Sequence, residues 1–188
     1  MRSGVLLSLA VGLLGLDFAV AGLCKPVGSV TTPFNILAES GPAANIRLGS
    51  NEIPGNVLLF GPEPGFEVQG FTVDPTSGQL LSTNGHRLCA YNSPNYNTLS
   101  VCKEDELTDE VPLVCEQPSE SYGSKLACSA SLTNCVLDDS VWVCTPTGVV
   151  YTHFYTKPYE DGTWTAVIGP ENLNEDGLVS TDFLVKFV

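Results

Sequence analysis

Basic residues are scarce in this sequence: Lys and Arg number 8 against 21 Asp and Glu, a formal net charge of −13. That balance excludes a nucleic-acid binder, whose phosphate contacts need clusters of Lys and Arg. It equally excludes electrostatic docking to anionic membranes. The acids are scattered apart from one run at residues 104–110, so the charge reads first as solubility. Histidine is rare too: the 2 present, His86 and His153, are far apart and carry no ligand spacing around them. No two cysteines stand at the C-x₂₋₄-C spacing of structural zinc sites. Neither a metal nor a cofactor is therefore expected. No G-x-S-x-G nucleophile turn occurs, and no N-x-[ST] acceptor exists for an N-glycan.

One long apolar run is present, and it lies at the start. Met1-Arg2-Ser3 is a short positive opening, residues 4–16 (GVLLSLAVGLLGL) are apolar, and Ala19-Val20-Ala21 is a small-x-small pattern. This is the layout of a secretory signal cleaved after Ala21. Asp17 ends the run short of the about 20 apolar residues a spanning helix needs. Cleavage removes Arg2 and Asp17 together, so the charge is unchanged. The end of the chain, from Asp182 to Val188, is too short and too charged for a lipid-anchor signal. Lys103-Glu104-Asp105-Glu106-Leu107 resembles an endoplasmic-reticulum retention tail but is internal. The expected organisation is residues 1–21 as signal peptide and 22–188 as a single secreted β domain, extracellular and without a membrane anchor.

Seven cysteines follow the leader: Cys24, Cys89, Cys102, Cys115, Cys128, Cys135 and Cys144. In an oxidising compartment they should be mostly paired. Taken two by two, the last six cysteines bracket turn chemistry. Asn92-Ser93-Pro94-Asn95 lies between Cys89 and Cys102, residues 118–123 between Cys115 and Cys128, and Asp138-Asp139-Ser140 between Cys135 and Cys144. Three hairpin staples are expected: Cys89–Cys102, Cys115–Cys128 and Cys135–Cys144. Cys24 is left over. It can stay free, take a partner from the six, or join two chains, and a Cys24-linked dimer is the expected result of the last.

Short period-2 and β-branched runs recur along the chain, at residues 46–48, 57–60, 70–73, 79–82, 149–155, 164–168 and 183–187. Turn signals such as Pro54-Gly55, Ser77-Gly78, Asn84-Gly85 and Asp176-Gly177 separate them. Strands with a turn every 8–12 residues indicate an all-β domain, a sandwich or barrel. No long helical period appears. Residues 42–48 and 104–107 are each expected to hold one helical turn. The segment Phe71 to Leu81 resembles a repeating element of β-trefoils. The expected fold is thus a disulfide-stapled antiparallel domain, a compact and trefoil-like barrel, with a β-sandwich as the alternative.

Aromatics concentrate near the end of the chain, where they could form a sugar-binding platform. If residues 149–155 are one strand, Tyr151, His153 and Tyr155 share a face and Phe154 points the other way. Tyr151, Tyr155 and Trp164 are therefore the candidate ligand-binding residues. Such tyrosines are equally at home on the rim of a core. Glu160 and Asp161 beside Trp164 are the most suggestive carboxylates for a glycosidase pair; the plain alternative is a loop of solvated acids. Asn172-Leu173-Asn174-Glu175-Asp176-Gly177 resembles half of a calcium loop. It lacks the leading Asp, and Phe183 stands where the bidentate Glu belongs, so it reads as a polar turn.

The layout resembles that of small secreted fungal cysteine-containing proteins. It comprises the signal, the opening strand from Pro33 to Ala38, the Phe-x-Val-Asp-x-x-x-Gly-x-Leu segment from Phe71 to Leu80, and the cysteine-stapled second half. Some of that group resemble cell-wall proteins of the PhiA type, and others are effector candidates. The resemblance implies association with the cell wall or interaction with a host, and supplies no catalytic residues. The expected function is a non-catalytic secreted protein whose partner is an extracellular polysaccharide or an extracellular protein. The competing class is a carbohydrate-active hydrolase using a carboxylate pair.

Overall fold

The structure, a computed structural model, describes residues 32–50, 55–61, 70–91, 95–103, 110–121, 123–139, 141–159 and 162–188. The expected signal segment and Cys24 lie outside them, as do residues 104–107 with their expected helical turn, and Glu160 and Asp161. The described chain is all-β, and every pairing between two strands is antiparallel, with one isolated parallel bridge from Ala38 to Ala44.

The described residues form three sheets. The first has the order β15-β1-β4-β5, from β15 (Phe183–Phe187), β1 (Phe34–Ala38), β4 (Phe71–Val73) and β5 (Leu80–Ser82). The largest runs β14-β12-β13-β7-β6-β8, from β14 (Val179–Ser180), β12 (His153–Pro158), β13 (Trp164–Gly169), β7 (Asn97–Val101), β6 (Leu88–Tyr91) and β8 (Glu110–Pro112). Two short strands, β2 (Leu48–Gly49) and β3 (Leu59–Phe60), pair with each other, and β3 continues onto β13. The third sheet is β11-β10-β9, from β11 (Val141–Tyr151), β10 (Cys128–Asp138) and β9 (Val114–Cys115).

Alternation builds the core. Phe183 and Val185 are buried on one face of β15, while Leu184 and Lys186 look outward, the period-2 consequence of the pleat. Rings from two sheets meet there. Phe183 stacks on Phe154 of β12 with centroids 4.1 Å apart, and takes Phe60 of β3 edge-on at 5.1 Å. The edge-to-face contact is a favoured ring geometry, and the stacked pair buries two ring faces against each other. The inner faces of the first and largest sheets are thereby pressed together.

The strand class, antiparallel pairing and stapling expected from the sequence are what the chain adopts. The barrel form is not: among the described residues the sheets do not close on themselves, and the arrangement is sandwich-like. Residues 42–48 make no helical turn. Ala44 N–H donates to the Gly41 carbonyl and Ile46 N–H to that of Ala43, and Asn45 takes the left-handed φ of 62° that ends the turn.

The turns behave as their residues dictate. Between β4 and β5, Asp74 Oδ1 accepts from the backbone N–H groups of Thr76 (2.7 Å) and Ser77 (2.9 Å). These bonds, that from Ser77 first, hold the exposed Asp74 carboxyl below the usual carboxylate range.

All six paired cysteines are accounted for. Cys89–Cys102 ties β6 to the end of β7, Cys115–Cys128 ties β9 to β10, and Cys135–Cys144 ties β10 to β11. These are the pairs read from the turn spacing. Cys115 faces Cys128 and Cys135 faces Cys144 directly across their ladders, with Cα atoms 3.9 and 4.0 Å apart. Such closeness belongs to non-hydrogen-bonded cross-strand positions.

Candidate functional site

Tyr151, Tyr155 and Trp164 do not assemble into one exposed platform. The chain leaves β11 after Tyr151, passes Thr152 and enters β12 at His153. Tyr151 pairs with Ala130 in the third sheet, whereas Tyr155 pairs with Val167 in the largest. The parity that put their rings on one face is broken at Thr152. Both are buried, at 4% and 2% exposure. Burial pushes the Tyr151 phenol above its ordinary range.

Tyr155 is a structural anchor. Its hydroxyl contacts the carbonyls of Pro170 and Glu171 and accepts from the N–H of Leu173 (3.4 Å). The polar turn at residues 172–177 therefore folds down over this ring. Gly169 beneath it leaves little room for a side chain: an added Cβ would stand 3.0 Å from Leu173 Cδ2, which would have to give way, and 3.5 Å from Tyr155 Cε2. Trp164 is half-buried, packed against the core and paired with Pro158. His153 is half-buried, with Nδ1 3.1 Å from the neighbouring Thr152 hydroxyl.

Glu110 is the buried carboxylate among the described residues. The Ser100 hydroxyl donates to its Oε1 (3.2 Å) and the Lys103 N–H to its Oε2 (2.8 Å). One oxygen thus ties Glu110 to Ser100 of β7 and the other to Lys103, which is a structural duty.

The longest hairpin among the described residues is β10–β11; the sequence marked its tip, its Cys135–Cys144 staple and the 149–155 run, but not its length. Each strand runs 11 residues. Their pairing is continuous from Thr133–Pro146 to Asp138–Val141, and near the base it carries an irregularity between Ser131 and Thr133. The extra residues there lie on β11 at 147–149. Gly148 takes a φ of 78°, the Thr147 hydroxyl donates to the Leu132 carbonyl (3.0 Å), and Val149 N–H donates to the Thr147 hydroxyl (3.1 Å). This is a bulge, which bends a strand and increases its twist. Leu132 is the last core residue of β10; past it the hairpin is an arm.

On the arm every side chain from 143 to 150 is exposed. Val136 (55%) and Val143 (44%) face each other across the ladder beside the Cys135–Cys144 bridge. An isolated two-stranded hairpin is marginal in water, so the bridge is what holds this one in shape. The arm carries no Lys or Arg, and its charges are Asp138 and Asp139 at the tip. A recess of about 330 Å³ lies at its base, lined by Val114, Glu116, Ser129, Thr152 and the Cys115–Cys128 bridge.

No family model, curated protein or solved structure matches this chain.

Proposed function

We propose that this is a secreted, non-catalytic binding protein whose docking element is the β10–β11 arm. The observation that carries the reading is the arm itself: exposed, apolar in the middle and clamped by its own disulfide. Keeping the valines in water costs roughly 25 cal/mol per Å² of apolar surface, and a partner that covers them recovers it. Pre-ordering by the bridge lowers the entropy lost on binding. Three disulfides also suit an oxidising, extracellular setting.

The occupant we assign is an extended, basic segment of an extracellular protein. Charge complementarity favours it: the tip is acidic, the basal recess holds Glu116, and the whole chain is at −13. The same charge opposes a second copy. The polysaccharide reading loses its support from Tyr151 and Tyr155, because buried rings offer no stacking face. It now rests on Trp164.

Two ten-residue peptides test the assignment, one alternating Lys with Val and one alternating Glu with Val. The Lys peptide should bind the mature protein. The Val136→Ser/Val143→Ser variant should bind it at least 10-fold more weakly while keeping its melting temperature. Equal binding of both peptides, or an unchanged affinity in the variant, overturns the reading. So does a wild-type dimer in sedimentation that the variant splits, since the occupant is then a second copy. Retention on insoluble chitin or glucan that is lost in Trp164→Ala would instead make the protein a polysaccharide binder.

A further inference from the structure

We propose that the outer face of the β1–β15 sheet carries a second binding site, for a small carboxylate with an apolar body. The site is independent of the arm. Leu37 of β1 and Leu184 of β15 are cross-strand partners, and both are half-exposed. They form an apolar strip where a solvated sheet face normally shows polar residues. Arg47 pairs by a single bridge with Leu37 and so stands beside it. Lys186 follows Leu184 by two positions and shares its face of β15. Together with the Asn45 turn and Gly123 on the rims, these residues enclose a recess of about 310 Å³. That volume is at the small end of ligand pockets, about 300–1,000 Å³. Gly123 leaves the rim open, since nothing stands within 4 Å of the Cβ it lacks.

The charges are the second observation. Lys125, bridged to Leu184 on the same sheet, pairs with Asp182, and with Glu39 at 3.7 Å. Asp182, then Glu39, raises the Lys125 pKa. The two nearby acids are thereby taken up. Arg47 and Lys186 make no side-chain hydrogen bond or ion pair with any described residue, and both are exposed. Two uncompensated cations flank the leucine strip in an otherwise acidic molecule.

Arginine presents a planar fork that matches a carboxylate, and lysine adds a point charge. The leucines have nothing to offer inorganic phosphate, which prefers water on every side. An alkyl carboxylate uses both parts of the recess. Two sources share this chemistry: a free fatty acid, and an apolar C-terminal residue of a peptide.

Octanoate and N-acetyl-leucine are the probes, followed by calorimetry and by amide shifts in the full secreted protein. One or both should bind, with amide shifts at Leu37, Leu184 and their neighbours. Binding should weaken at least 10-fold in R47Q/K186Q, and also as salt is raised, as screening of exposed charges requires. Octanoate alone points to the fatty-acid source, and N-acetyl-leucine alone to the peptide terminus. Octylamine should not bind. The proposal fails if neither carboxylate binds, if R47Q/K186Q binds as tightly as wild type, or if inorganic phosphate binds as well as octanoate at the same residues. Arg47 and Lys186 are exposed, so R47Q/K186Q should fold, and an unchanged melting temperature checks this.

Discussion

Tyr155→Ala is expected to destabilise the fold by about 3–5 kcal/mol, the usual cost of emptying a buried aromatic site. For a domain of this size that lowers the melting temperature by on the order of 10 °C. Two losses combine. The ring, at 2% exposure, fills the space between β12, Gly169 and the 170–178 segment. Its hydroxyl also serves the carbonyls of Pro170 and Glu171 and the N–H of Leu173. Tyr155→Phe isolates the second loss. It keeps the ring and should cost about 1–2 kcal/mol, the range for stranding partly buried backbone groups. Differential scanning calorimetry on both variants, with retention on chitin and glucan measured in parallel, checks the assignment. A Tyr155→Ala protein that melts with wild type but loses retention would put the ring back on the surface.

The same tyrosine marks where sequence reading stops. Strand and turn punctuation is local, and local signals were legible. Ser77-Gly78 and Asn84-Gly85 close the hairpins they flank, with Gly78 and Gly85 at positive φ. The pairing of Cys89, Cys102, Cys115, Cys128, Cys135 and Cys144 was legible for the same reason, because each staple spans one turn. Tyr155 was misplaced because one residue, Thr152, resets the strand parity. Nothing in the alternation from Tyr151 to Tyr155 signals that reset. The 170–178 segment that covers the ring arrives from outside that window. The Arg47–Lys186 recess is hidden for a stronger reason: its walls come from opposite ends of the chain and meet only through the register of β1 on β15. The choice between barrel and sandwich has the same character, because sheet closure depends on which distant edges meet.

The two directly facing disulfides should separate the domain from its arm. Cys115→Ala/Cys128→Ala is expected to lower the free energy of unfolding by about 3 kcal/mol, the chain-entropy value for a loop of 13 residues. Both cysteines are core members, so the fold stays ordered around them while the unfolded chain gains freedom. Cys135→Ala/Cys144→Ala opens a loop of 9 residues, and the chain-entropy formula alone gives nearly as much, also about 3 kcal/mol. The measured cost should nevertheless be below about 1 kcal/mol. Without its bridge the two-stranded arm frays in the folded protein too. The entropy is then released in both states and largely cancels from their difference. Urea unfolding followed by near-ultraviolet circular dichroism gives the two global values. Amide exchange at Val136 and Val143 should accelerate in the arm variant and stay unchanged in the other. A full 3 kcal/mol loss from Cys135→Ala/Cys144→Ala, with the valine amides still protected, would mean that the hairpin folds as one unit with the core, and would remove the independent arm on which the binding proposal stands.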